Sequence, residues 1–332
     1  MNSQQRVLAA LQLRQPDKVP FLDDVDQDTM DQIMGSSDYT LAQFAGKLGL
    51  DGVCIRNYNA PAFYSTQQGT NGRSFMGDGL IKSPRDLDLM VFPDYRRPDF
   101  FDPLHRFVEE NSKAGLATYA EMRFGPSGAF YSLGMETLAF ALHDQPHFVE
   151  QVLERYTEYN LALLETINNS GLDFVITYDN ICYNSGPVFS PKMYRQIFLP
   201  WEKQVAQACR LPWVCHMDGN ISKIIEDMLT LGMSGLHPIE PEPGLGLSEM
   251  KQRYGKQVCL WGNVDLQYIL PYGTEAETIA DVQRCLRQGG AGGGYIIGSS
   301  NGLPNYCKTA NILAMASAIA EYGWYPLSSQ QQ

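Results

Sequence analysis

"PWVCHMDGNISKIIEDMLTLGMSGLHPIE", residues 212–240, sets two short apolar runs on either side of a segment with helical spacing. The first run closes on His216 and Asp218 and the second on His237 and Glu240, while "ISKIIEDMLTLG" between them repeats apolar residues three or four apart. Two strands joined by a crossover of about a dozen residues or more pair in parallel, so this stretch reads as one βαβ unit.

The same alternation extends outward in both directions. Candidate strands are KVPFL (18–22), DGVCI (51–55), LATYAEM (116–122), LDFVITY (172–178), PWVCHMD (212–218), SGLHPIE (234–240), QVCLWGNVD (257–265) and GGYIIGS (293–299). Amphipathic stretches such as SPKMYRQIFLPWEKQVAQAC (190–209) and GTEAETIADVQRCLRQGG (273–290) alternate with them, with a capping Ser or Thr near their starts. Eight such units with no GxGxxG turn after the first strand predict a (β/α)8 TIM barrel, one α/β domain over 1–332. A doubly wound open sheet is the alternative. The polar, Gly-rich stretch 57–94 reads as a loop or hairpin covering one barrel end, or as a surface excursion. Gly292, Gly293 and Gly294 precede the last strand and read as a tight turn rather than a phosphate cradle.

Composition excludes several classes of function. The chain of 332 residues is 44% hydrophobic and 19% charged, enough to bury a large core. With 37 acidic against 25 basic side chains the formal net charge is −12, and no Lys/Arg block could track a phosphate backbone, which argues against nucleic acid. No apolar run reaches the roughly 18 residues of a membrane span, and the polar start lacks a signal-peptide core. A cytoplasmic protein is the expectation. The seven scattered cysteines form no CxxC pair and read as reduced thiols.

In a barrel of this kind, chemistry gathers at the carboxyl ends of the strands. There lie His216 and Asp218, His237 and Glu240, Asn263 and Asp265, and Ser299 to Asn301. Residues two apart on a strand share a face, so His216 and Asp218 point together with Met217 turned away, whereas Glu240 falls on the face opposite His237. An imidazole and a carboxylate converging in this way suit either Zn²⁺ or general acid/base work. The bland alternative makes Asp218 a helix cap and His216 a core histidine. Tyr178, Asp179, Asn180 and Tyr183 follow the fourth strand and Tyr131 follows the third, where a tyrosine serves packing as readily as chemistry.

The motifs SPKMYRQIFLPW (190–201), LWGNVD (260–265), GTEAETIADVQRCLRQGG (273–290), GGGYIIGSSNGLP (292–304) and NILAMASAIAEYGWYP (311–326) resemble the uroporphyrinogen decarboxylase superfamily, and RVLAALQLRQPDKVPF (6–21) resembles it more loosely. The resemblance implies a (β/α)8 barrel and either a porphyrinogen decarboxylase or a cobalamin-dependent methyltransferase. Where the decarboxylases carry an arginine-rich signature, this chain reads PFLDDVDQDTMDQIMG, with Asp23, Asp24, Asp26 and Asp28 and no arginine. Their substrate-facing aspartate falls near Tyr58 and their late histidine near Asn301. The thiol-methylating members hold zinc through His-x-Cys and a later Cys, which correspond to His216, Asp218 and Asn301 here. Oxygen donors in place of sulfur leave a metal more Lewis-acidic, which suits an ether.

The resemblance therefore implies a corrinoid-dependent methyltransferase, an O-demethylase component. It would move a methyl group from a methoxylated, often aromatic substrate to the Co(I) centre of a corrinoid protein, the partner; the assembly is left open between a monomer and a homodimer. His216, Asp218 and Glu240 would hold Zn²⁺; Tyr131, Asp179 and Asn301 would be catalytic; Tyr58, Tyr178, Asn180, Tyr183, His237 and Asn263 would bind substrate. The rivals are a decarboxylase of a small carboxylic acid and a barrel that binds a corrinoid or small molecule without turnover.

Overall fold

The computed structural model describes residues 1–56, 58–68, 74–97, 99–241 and 244–327. Seven parallel strands form one curled sheet in chain order: β1 (Gly52–Ile55), β2 (Ala117–Met122), β3 (Phe174–Tyr178), β4 (Trp213–His216), β5 (Gly235–His237), β6 (Cys259–Trp261) and β7 (Tyr295–Ile296). The eighth stave is the segment through Phe21. The Leu22 amide donates to Ile297 and the Ile297 amide to Pro20 on one side, and Asp51 donates to Phe21 on the other. The sheet thus closes into the (β/α)8 barrel, and the open alternative is excluded. KVPFL forms bridges rather than a regular strand because Pro20 has no N–H and the Phe21 amide donates to the Asp51 carboxylate instead of a backbone carbonyl.

Helices follow the strands as the periodicity predicts, with local differences. The last long helix before β7, Glu275–Gly289, starts in a capping box between Thr274 and Glu277. The stretch 190–209 is helical but contains a π turn, Tyr194–Phe198, ahead of Leu199–Ala208. ISKIIEDMLTLG shortens to Ile225–Leu229. In 57–94 the chain forms an antiparallel ribbon, Tyr64–Gln68 with Ser74–Gly79, which packs against the helix Ser127–Leu133; residues 57 and 69–73 lie outside the described residues.

The barrel interior is a packed core. Phe174, Ile176, Val214, Ala117, Tyr119, Cys259, Trp261 and Ile296 form one buried cluster, and Val7, Ala10 and Leu11 of α1 (Ser3–Leu11) enter it. α1 therefore plugs the amino-terminal end, and the carboxyl end is left for the loops that carry the site. Gly235 keeps room for the plug, since a Cβ there would lie 3.0 Å from Val214 and 3.3 Å from Leu11. Gly292, Gly293 and Gly294 all adopt positive φ (76°, 79° and 60°), the tight turn predicted for them. All seven cysteines are free. Among the described residues no helix is long and apolar enough to cross a membrane.

Candidate active site

Register builds the centre of the site. Tyr178 of β3 pairs with His216 of β4, and His216 pairs with His237 of β5. Residues paired across parallel strands share a face, so the three rings form one row inside the mouth, continued by Trp261 at the end of β6. Tyr178 stacks on His216 with centroids 4.1 Å apart; His216 and His237 are 4.8 Å apart, and His237 and Trp261 4.5 Å apart. His216 is 1% and His237 2% exposed, so any proton they hold is shielded from water.

A hydrogen-bonded chain runs through this row. Nδ1 of His216 lies 2.7 Å from Nδ1 of His237. Nε2 of His216 lies 3.3 Å from Asp218 Oδ1, so His216 and Asp218 do point together. Met217 is turned away, its sulfur accepting from the Ile181 amide. Asn301 donates to Asp218 Oδ1 at 2.9 Å and Asn180 to Oδ2 at 2.8 Å. Burial raises the pKa of Asp218, but the hydrogen bond and charge of His216 and the two amides outweigh it and hold the carboxyl below its ordinary value. An ionised Asp218 fixes a hydrogen on Nε2 of His216. The contact between the two Nδ1 atoms then holds one hydrogen, donated by His237 to a neutral His216 or by a protonated His216 to a neutral His237. Burial, and next the charge of His216, push the pKa of His237 well down, so His237 is held as a neutral ring. The helix-cap reading of Asp218 does not describe this geometry: its carboxylate serves His216, Asn180 and Asn301.

The remaining sequence-derived residues divide into those at the mouth and those turned from it. Tyr131 is half-buried, with Arg123 5.9 Å from its ring; burial raises its pKa, Arg123 opposes this, and the charges of Asp179 and Asp218 add to it. Tyr183 is exposed on the two-residue ribbon Cys182–Tyr183/Gly186–Pro187. Glu240 is turned aside, its Oε2 accepting from the Gly219 amide at 2.6 Å. Asp179 holds a turn: it accepts from the amides of Phe124 (2.8 Å) and Gly125 (3.0 Å) and from Ser127 Oγ (2.8 Å). Asn263 faces outward, its Oδ1 accepting from Arg284 on the helix Glu275–Gly289. Tyr58 packs between Phe100 and Phe101, stacked on the latter at 5.7 Å.

The donor set does not fit a three-ligand zinc centre. His216 and Asp218 are close enough to share a cation, but Glu240 is committed to Gly219 and the neighbours of Asp218 are amide N–H groups, which donate and cannot ligate. Among the described residues no three His, Cys, Asp or Glu side chains gather to hold a metal.

Some rim residues were not marked as site residues in the sequence. Arg56, just past β1, pairs with Asp24 and stands 4.0 Å from Glu121 of β2, which also accepts from Asn59. Asp23 is buried at the mouth and accepts from the Ser299 amide at 2.7 Å and hydroxyl at 2.8 Å. Its position directly after an apolar run was the available signal.

Residues 127–322 match the family described as uroporphyrinogen decarboxylase (URO-D). Uroporphyrinogen decarboxylase of Coxiella burnetii is 23% identical over 189 residues, covering 54% of this chain and 49% of that protein. The enzyme of Xanthomonas axonopodis is 26% identical over 186 residues, covering 52% and 50%. The chain thus matches about half the length of these relatives. Among solved structures, a methyltransferase from Methanosarcina mazei superposes over 97% of this chain and 99% of its own, with TM-score 0.74 and 21% identity. A B12-independent methionine synthase from Shewanella superposes over 93% and 94% with TM-score 0.52 and 11% identity. With more than half of its length matched, and with the same barrel, the chain belongs to the uroporphyrinogen decarboxylase family.

Proposed function

We propose that the protein is a methyltransferase that removes the methyl group of a small, uncharged methoxylated compound and passes it to the Co(I) corrinoid of a separate protein. The observation that carries this reading is the buried hydrogen-bonded chain His237–His216–Asp218 at the barrel mouth. The structural likeness to a methyltransferase supports it. The rim is acidic, and the arginines that follow β1 and β2 are engaged: Arg56 with Asp24, and Arg123 with the carbonyls of Tyr178 and Ala60. A macrocycle carrying many carboxylates would be repelled there.

A bound corrinoid would supply a nucleophile for the methyl carbon, and this chain would supply the acid. As the carbon–oxygen bond breaks, the departing oxygen takes the Nε2 hydrogen of His237. In the singly protonated pair the Nδ1 hydrogen of His216 then crosses 2.7 Å to Nδ1 of His237, leaving two neutral rings beside an unchanged Asp218 carboxylate. Tyr178 and Trp261 flank the rings and keep water from the relay.

The test is anaerobic single turnover with reduced cobalamin and methoxybenzenes, scoring the phenol released. Wild-type protein is expected to form phenol, and His216→Ala and Asp218→Asn to lose about 10²- to 10⁴-fold in rate, the usual worth of a positioned acid. Decarboxylation of uroporphyrinogen at a rate matching or exceeding methyl release would sink the reading.

A further inference from the structure

One buried acid at the mouth has no part in the relay. Asp23 is 6% exposed, and both its oxygens are bonded by Ser299. Arg56, on the neighbouring strand end, is engaged by Asp24 and Glu121 instead. Burial pushes the pKa of Asp23 up to about 7, against the two Ser299 hydrogen bonds. The same residue borders a cavity of about 210 Å³ between the end of β1 and the helices α2 (Gln27–Met34) and α3 (Leu41–Leu48). Met30, Leu41, Phe44, Leu50 and Val53 make its walls apolar, and Gln27 and Arg56 add polar groups. An apolar cavity of about 150 Å³ takes up benzene, so this one has room for a single substituted ring.

We propose that this cavity binds the ring of a small uncharged aromatic compound and that Asp23 recognises an oxygen on it. The inference rests on the methyl-transfer reading for the identity of the compound, but its site is independent of the relay. A neutral Asp23 donates to an ether oxygen, whereas an ionised one accepts from a phenolic hydroxyl and repels a ring carboxylate, as does Asp24 beside it. Around Asp23 lie Asp24 beside it, Cys54 of β1 and Arg56 just past β1 on the same cavity, and Tyr119 of β2, on which its charge acts. Cys307 approaches from the loop after β7. Burial raises the pKa values of Cys54 and Tyr119 well above their ordinary values and that of Cys307 to about 12, so none of these three takes or gives a proton near neutrality.

Calorimetric titration without corrinoid tests the site, using methoxybenzene, phenol and benzoate as probes. In wild-type protein the Kd of methoxybenzene should rise about tenfold from about pH 6 to about pH 8, while that of phenol changes little. Asp23→Asn should abolish that pH dependence. Leu41→Trp, which fills the cavity, should weaken both probes at least about tenfold, with Met30→Phe as the milder replacement if the first fails to fold. Unchanged affinity in a folded cavity-filling variant, an unchanged pH dependence in Asp23→Asn, or benzoate bound as tightly as phenol at about pH 8 overturns the proposal. Probe binding as expected but no methyl release in the turnover assay retires the methyl-transfer reading and leaves the site standing; methyl release with unaltered binding in the variants does the reverse.

Discussion

A contact of 2.7 Å between two ring nitrogens limits how many protons the mouth can hold, and each neighbour of the pair sets where they reside. Removing one ring should therefore retitrate the other. In His216→Ala the pKa of His237 should rise, because the charge that depresses it is gone, yet stay below its ordinary value, because burial is the larger cause; imidazole proton shifts followed against pH read this directly. A second residue titrates behind the strands. Glu202 is 4% exposed and lies beside the buried hydroxyl of Tyr194; burial, with the charge of Asp179, raises its pKa to about 8 against a hydrogen bond from Tyr194. A carboxyl whose pKa is higher folded than unfolded adds stability that is complete below the unfolded value and is lost as pH rises through the folded one. Stability should thus fall between about pH 4.5 and pH 8, and Glu202→Gln should flatten that slope by about 1 kcal/mol per pH unit in denaturant titrations. An equal slope in wild type and variant contradicts this.

At the scale of elements, the plug and the turns carry measurable stability. Leu11→Ala, which empties the amino-terminal end of the barrel, should cost about 2–5 kcal/mol, and Thr274→Ala, which removes a cap, about 1 kcal/mol. Gly293→Ala should cost more than the cap, since its φ is 79° and a Cβ would sit 2.6 Å from the backbone of Arg14 and Gln15; denaturant midpoints compare the three. The alternation of apolar runs and helical segments made the barrel legible, and strand periodicity brought His216 to Asp218 and turned Glu240 away. The pairing of His216 with His237 was not legible because it depends on register between strands, which no local pattern encodes. Alternation also failed past Trp261: Gly262 has φ 138°, a conformation outside the strand region, and the next side chain, Asn263, swings to Arg284. KVPFL read as a strand because its apolar pattern is right, while its hydrogen bonds are cut by Pro20 and diverted by Asp51. Asp179 reads as a site residue because it directly follows β3, but three donors from the 124–127 turn claim it.

For the whole molecule, an acidic mouth and a satisfied relay make two further outcomes expected. Dialysis against a chelator should change neither the rate of methyl release nor the melting temperature, since Asp218 and Glu240 already have hydrogen-bond partners; loss of transfer restored by zinc contradicts this. Uroporphyrinogen should fail to compete with methoxybenzene for the mouth, as an inhibition assay would show. The seam that closes the barrel has a consequence in time. Asp23 and Ser299 join residues 276 positions apart, and the segment through Phe21 has β7 as one of its two neighbours. At about 5–20 residues per second a ribosome takes on the order of tens of seconds to deliver the second partner after the first. Until then Val7, Leu11 and Leu22 have an incomplete cavity to enter, so the nascent chain holds its own plug exposed, and a block anywhere in the late helices leaves an apolar end that chaperones or aggregation would claim first.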